Sequence, residues 1–227
     1  MSVRELPMRL RAGTVDLDGE LAVPDLVRGA VVFAHGAGSR RGSPRNRRVA
    51  TALHGRGFAT LLFDLLTPDE RADDDRTARL RFDIGLLGGR LVEVVTWLRR
   101  SYAVAARPVG LYGGSTGAAG ALVAAARLPG DVAAVVSRGG RPDLAGDDLA
   151  RVRAPTLLIV GGRDAEVRAL NERAAERLGG PSHLEVVSGA GHLFAEPGAL
   201  DAVCGLAGEW FGRHLAGNGP RTPHGPA

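Results

Sequence analysis

Val109-Gly110-Leu111-Tyr112-Gly113-Gly114-Ser115-Thr116-Gly117 is the stretch on which the reading of this chain turns. Residues 109–112 are a short apolar run that predicts a buried strand, and the alanine-rich run 118–127 predicts a helix with almost no side-chain bulk. Between them Gly113, Ser115 and Gly117 make a G-x-S-x-G frame, which at a strand-to-helix junction is the pattern of a nucleophile elbow. The glycines have a steric task there: small residues let strand, turn and helix close around a serine held on a strained turn. A tight turn with an incidental serine has the same letters, so the decision rests on what the other strand ends carry.

Outward from this stretch the chain alternates strands and helices. Asp18-Gly19 predicts a hairpin turn between strands 14–17 and 20–23. Residues 31–34 read as a buried strand, and Ser43-Pro44 opens a helix, serine as N-cap and proline in the first turn, that stops at Gly55. Residues 58–63 are another buried strand, and 64–82 read as a long polar loop with the acidic run Asp73-Asp74-Asp75. Leu87, Leu91, Val94, Val95 and Leu98 fall at helical spacing and predict a helix over 84–99. Beyond the elbow, strands at 132–136, 156–160 and 184–187 are interleaved with helices at 166–178 and 199–215. The pattern is α/β: a mostly parallel, doubly wound sheet with helices on both faces. In such sheets the working residues lie at the carboxyl ends of the strands.

Composition limits the function classes. At 227 residues, with 44% hydrophobic and 24% charged, the chain reads as one globular domain over 1–216, followed by a Gly/Pro-rich tail, 217–227, expected to be disordered. Net charge is +4, but all 29 basic residues are arginine and the 25 acidic ones nearly balance them, so no nucleic-acid partner is expected. No apolar run is long enough to cross a membrane, and residues 1–11 hold no signal-peptide core, so a cytoplasmic protein without a membrane partner is expected. The single cysteine, Cys204, excludes an internal disulfide and a cysteine-built metal site. Trp210 and Phe211 on the last helix read as packing residues, and oligomeric state is not readable.

The strand ends supply partners for Ser115. Gly161-Gly162-Arg163-Asp164 follows one strand and Gly189-Ala190-Gly191-His192 follows the next, giving the chain order Ser115, Asp164, His192 of an acyl-transfer triad. Asp164 also fits a helix N-cap, and Asp143 is the fallback acid. Of the other histidines, His183 reads as surface, and His54 and His214 lie near helix ends. The strand 31–34 runs into His35-Gly36-Ala37-Gly38, an HG-x-G loop of the oxyanion-hole type, in which the backbone N–H groups of Ala37 and Thr116 are the expected donors. His35 is expected to brace the loop, with Gly36 and Gly38 beside the substrate. Arg138 and Arg141 lie in a Gly-rich segment on the same face, placed either to meet a substrate carboxylate or phosphate or simply as surface charge.

Together these stretches resemble the α/β-hydrolases, and within them the dienelactone-hydrolase-like branch. The resemblance rests on His35–Ser39 running into Ser43–Asn46, on 58–64, on the elbow, on Gly161–Asp164 and on Gly189–His192, and it spans residues 30–215. Dienelactone hydrolases proper carry a cysteine nucleophile and a glutamate soon after the oxyanion-loop glycine, where this chain has Ser115 and Ala37. The resemblance therefore implies a serine esterase on that scaffold, acting on a small-molecule acyl substrate with no metal or organic cofactor, rather than an enzyme for dienelactone itself. Only residues 138–155 separate the strand after the elbow from the acid-bearing strand, so no large lid domain is expected. A non-catalytic binding module on the same scaffold is the competing class. A dinucleotide-binding domain is disfavoured, because no strand leads into G-x-G-x-x-G.

Overall fold

The structure, a computed structural model, describes residues 2–100, 104 and 106–215. The expected tail 217–227 lies outside the described residues. The strands are β1 (Val3–Ala12), β2 (Val15–Pro24), β3 (Gly29–Ala34), β4 (Phe58–Phe63), β5 (Val109–Gly114), β6 (Val132–Arg138), β7 (Thr156–Gly161) and β8 (Ser182–Val187). They form one sheet in the order β1-β2-β4-β3-β5-β6-β7-β8. The first two pairings, β1 with β2 and β2 with β4, are antiparallel, and every other pairing is parallel. Every residue of β3, β4, β5 and β7 is buried, which is why these strands read as unbroken apolar runs rather than alternating ones.

Helices cover both faces. α3 (Ile84–Arg100) and α4 (Thr116–Arg127) share one core with Val32, Leu61, Leu111 and Val135. α1 (Pro44–His54) and α6 (Ala199–Leu215) share the other with Phe33, Tyr112, Val136 and Ile159, and Trp210 and Phe211 pack into it as read. α5 (Ala165–Arg177) lies between β7 and β8 in the chain. The segment after β6 is a short 3-10 stretch, Pro142–Arg151, broken at Gly146 (φ +57°). It packs on α4 and α5 and is no lid domain. No described helix is long and apolar enough to cross a membrane.

Two expectations are corrected. The hairpin turns at Gly13 (φ +61°), not Gly19. Gly19 lies inside β2, paired with Met8 on one side and Phe63 on the other, where a Cβ would stand 3.0 Å from Leu10 Cδ1 and 3.2 Å from Phe63 Cβ. Its smallness therefore serves packing. The segment 64–82 is not a loop: it holds α2 (Pro68–Thr77) and a 3-10 turn, Leu80–Phe82. α2 escapes periodicity because it has no apolar face; its one buried residue is Asp74.

Polar contacts hold α2 instead. Thr67 and Glu70 form a capping box, with Glu70 N–H on Thr67 Oγ1 at 3.3 Å and Thr67 N–H on Glu70 Oε2 at 2.8 Å. The buried Arg90 of α3 reaches across to Glu70 Oε2 at 2.7 Å and to the Leu65 carbonyl. Burial alone would raise the Glu70 pKa, but the hydrogen bonds from Arg90 and Thr67 outweigh it and hold the carboxyl below its ordinary value. Glu70→Ala leaves Arg90 buried without its carboxylate, and we expect a stability loss of roughly 2–4 kcal/mol, read as a lower urea midpoint. An unchanged midpoint would show that α2 is anchored elsewhere.

Candidate active site

Ser115 sits between β5 and α4 with φ +52° and ψ −124°, a conformation that L-residues rarely adopt. Backbone proximity forces it. A Cβ on Gly113 would lie 2.4 Å from Ala118 Cα, and one on Gly117 would lie 2.4 Å from the Ala34 carbonyl oxygen. Strand, turn and helix thus meet with no room for side chains, as the elbow reading requires. From Val109 to Ala125 Ser115 alone is not buried. Its hydroxyl has no hydrogen-bond partner among the described residues.

Asp164 follows β7, and His192 lies in the loop after β8. Asp164 Oδ2 accepts from His192 Nδ1 at 2.7 Å, and its side chain caps no helix N–H. The alternative acid is committed elsewhere: both Asp143 oxygens are held by Arg141, at 2.9 and 2.7 Å. Asp164, rather than Asp143, therefore holds the imidazole, through Nδ1 and not Nε2. The His192 ring stays close to the end of β6, its Cε1 3.6 Å from where a Gly139 Cβ would stand.

The His192 loop has its own fastenings, one of which the sequence reading missed. Both carboxylate oxygens of Glu196 accept the Gly191 N–H at 3.1 Å, and Arg163 pairs with the same carboxylate. Arg163 N–H also donates to the Ala190 carbonyl at 2.9 Å. Arg163, next to the acid in sequence, thus serves the loop rather than a ligand. Phe194, buried and at φ +53°, plugs the loop against Gly139. An acidic residue closing a Gly-rich loop was the visible signal for Glu196.

Across the elbow lies the loop after β3. His35 braces it as expected: its Nε2 accepts the Leu65 N–H at 3.0 Å, so the ring proton resides on Nδ1, 3.1 Å from the Gly36 carbonyl. Burial pushes the His35 pKa below its ordinary value. Gly36 suits a close approach, because a Cβ there would stand a tight 3.0 Å from both the Gly114 carbonyl and Ser115 Cβ. Gly38 turns the chain at φ +67°. The N–H of Thr116, first residue of α4, has no acceptor within its helix, as an oxyanion donor should not. The Ala37 N–H, in contrast, is not idle: it donates to the Thr116 hydroxyl at 2.9 Å. A narrow cavity of about 20 Å³ lies here between Ala37, Gly38 and Thr116 on one side and Leu66, Arg71 and Arg81 of the α2 segment on the other.

The two arginines at and just after the end of β6 are placed unlike an open cradle. Arg141 is paired with Asp143. Arg138 is 7% exposed and runs beneath the elbow, its Nη2 2.6 Å from where a Gly114 Cβ would stand and its guanidinium 5.8 Å from the Phe194 ring centroid. Its Nε has no partner, and no carboxylate pairs with it among the described residues. The chain's acids all lie within those residues. No group of three or more His, Cys, Asp or Glu among them is arranged to hold a metal ion.

The neutral His35 makes stability pH-dependent. Its folded pKa lies below the ordinary value of 6.5, as do those of His54 and His214, each mainly through burial, so between the two values the unfolded chain binds more protons. Stability is complete above about pH 6.5 and falls as the pH drops below it. Urea midpoints from pH 7.5 to 5.5 should therefore decline, and less steeply for His35→Gln; equal slopes would remove His35 from the account.

Comparison with known proteins bears on the family and the fold. The sequence profile described as the dienelactone hydrolase family matches residues 17–204. A crystal structure of a dienelactone hydrolase from Anabaena variabilis is 52% identical, covers 94% of this chain and 99% of its own, and superposes with a TM-score of 0.90. Est1E from Butyrivibrio proteoclasticus shares the fold at 15% identity, with a TM-score of 0.78 over 93% of this chain and 99% of its own. A Mycobacterium tuberculosis protein provisionally named a phosphoribosyl transferase is 56% identical over 218 residues, 96% of this chain but 48% of that protein, so the chain spans about half its length. By profile, sequence and fold, the chain belongs to the dienelactone hydrolase family, on an α/β-hydrolase scaffold.

Proposed function

We propose that the chain is a serine hydrolase that cleaves a carboxylic ester, thioester or lactone of a small soluble substrate through an acyl-enzyme. The observation that carries this reading is the 2.7 Å hydrogen bond from His192 Nδ1 to Asp164 Oδ2, at the same carboxyl ends of the strands as a serine held at a strained elbow. Ser115 Oγ adds to the acyl carbon while His192 Nε2 takes its proton, and the carbonyl electron pair moves to oxygen. Asp164 stabilises the imidazolium. The tetrahedral adduct collapses, and the leaving group departs with the proton from His192. Water, deprotonated by His192, then adds to the acyl-enzyme and releases the acid. The reading requires Ser115 Oγ to come within hydrogen-bond reach of His192 Nε2 in the substrate complex. No step calls on a metal or organic cofactor.

The transferase name of the mycobacterial relative covers a protein twice the matched length. Among the expected substrate contacts, Arg138 alone keeps a charge without a carboxylate, which favours substrates with a negative group near the scissile bond.

Two measurements test the reading. Wild-type protein should be labelled by a fluorophosphonate probe, and Ser115→Ala should lose labelling while keeping its circular dichroism spectrum; undiminished labelling would sink the assignment. Arg138→Met should lower kcat/KM for a dicarboxylate half-ester about tenfold to a hundredfold relative to a neutral ester of equal length. Equal losses on both would show that Arg138 only packs.

A further inference from the structure

Thr116 carries a hydroxyl that the reaction above leaves unused. The side chain is 3% exposed, on the first residue of α4, and borders the cavity beside the oxyanion loop. Its Oγ1 accepts the Ala37 N–H at 2.9 Å. An oxyanion donor belongs about 2.7–3.1 Å from the oxyanion, so the hydroxyl oxygen stands where Ala37 would otherwise meet the substrate. A hydroxyl offers one proton and two lone pairs. One lone pair is taken by Ala37, and no described residue accepts the proton. A buried hydroxyl with an idle proton is costly unless an acceptor arrives. The backbone N–H of the same residue is also without a helical acceptor, and the two donors are near enough along the chain for one oxygen to take both.

We propose that the Thr116 hydroxyl is itself an oxyanion donor. Ala37 N–H donates to Oγ1, and Oγ1–H donates to the oxyanion beside the Thr116 N–H. The Ala37 amide acts through the hydroxyl, and each hydrogen bond in the series polarises the next. A valine here would leave Ala37 facing a methyl group and remove a donor from the transition state. The inference rests on Ser115 as the nucleophile.

The test compares wild type with Thr116→Val, Thr116→Ala and Thr116→Ser on p-nitrophenyl acetate, together with affinity for a trifluoromethyl ketone, which adds to serine as a hemiketal oxyanion. For the valine and alanine variants kcat should fall about 100-fold with KM little changed. Ketone affinity should fall by the same factor as kcat/KM, and serine should restore most of both. A valine or alanine variant as fast as wild type would overturn the proposal, since Oγ1 would then merely obstruct Ala37. So would lost kcat with unchanged ketone affinity. Fluorophosphonate labelling separates the two readings: Ser115 labelled beside a fully active Thr116→Val sinks only the role of Thr116, and an unlabelled wild type sinks both.

Discussion

Three backbones meet at the centre of the sheet with no side chain between them, and the site depends on that approach. Gly113 admits the start of α4, and Gly117 admits the end of β3. Neither neighbour can retreat. β3 and β5 are paired along their length, and both are flanked by further strands. Any Cβ at these positions would have to move the middle of the sheet. The left-handed φ of Ser115 is the local response, and it lifts the hydroxyl out of an otherwise buried stretch. Rigidity thus comes from the sheet register, and the other groups need only reach this fixed point.

They do so by unlike means. Asp164 and His192 reach it on loops cross-tied by Arg163 and Glu196, so the imidazole is held by the Asp164 carboxylate on a loop that Glu196 and the buried Phe194 fasten. The opposite wall, α2, is held almost wholly by charge. Asp74, buried, takes Arg81 on both carboxylate oxygens, at 3.0 Å from its N–H and 2.8 Å from Nε, while Asp64 holds Arg41 and Arg71. In a chain whose only long cations are arginines, forked donors suit such multidentate ties.

What the sequence disclosed follows from the same physics. β3 to β7 were legible because burial makes them nearly continuous apolar runs, Ser115 and Asp164 because they follow such runs, and His192 because it lies in a Gly-rich loop after a late strand. α2 was not, because a helix held by ion pairs leaves no apolar period; its one local sign was Thr67-Pro68-x-Glu70, a capping box that a run of acids obscured. Gly19 misled because glycine in a strand and glycine in a turn look alike without the partner strand. The burial of Arg138 was hidden for a related reason: nothing local marks an arginine whose neighbours, Gly114 and Phe194, come from distant segments. The choice between Asp164 and Asp143 needed the position of Arg141.

The groups proposed for bond-making reside on β5, β7 and β8, while the cavity wall is borrowed from the segment between β4 and α3. The polar ties between the two include Leu65 N–H on His35, Arg71 on the Ser39 carbonyl, Arg90 on the Leu65 carbonyl and on Glu70, and Arg41 on Asp64. One of these, His35, asks only for a backbone N–H, which any residue but proline supplies at position 65. Outside Glu70, which the buried Arg90 requires, the segment from 66 to 82 is therefore a wall that can be refitted without disturbing the strand ends that carry Ser115, Asp164 and His192.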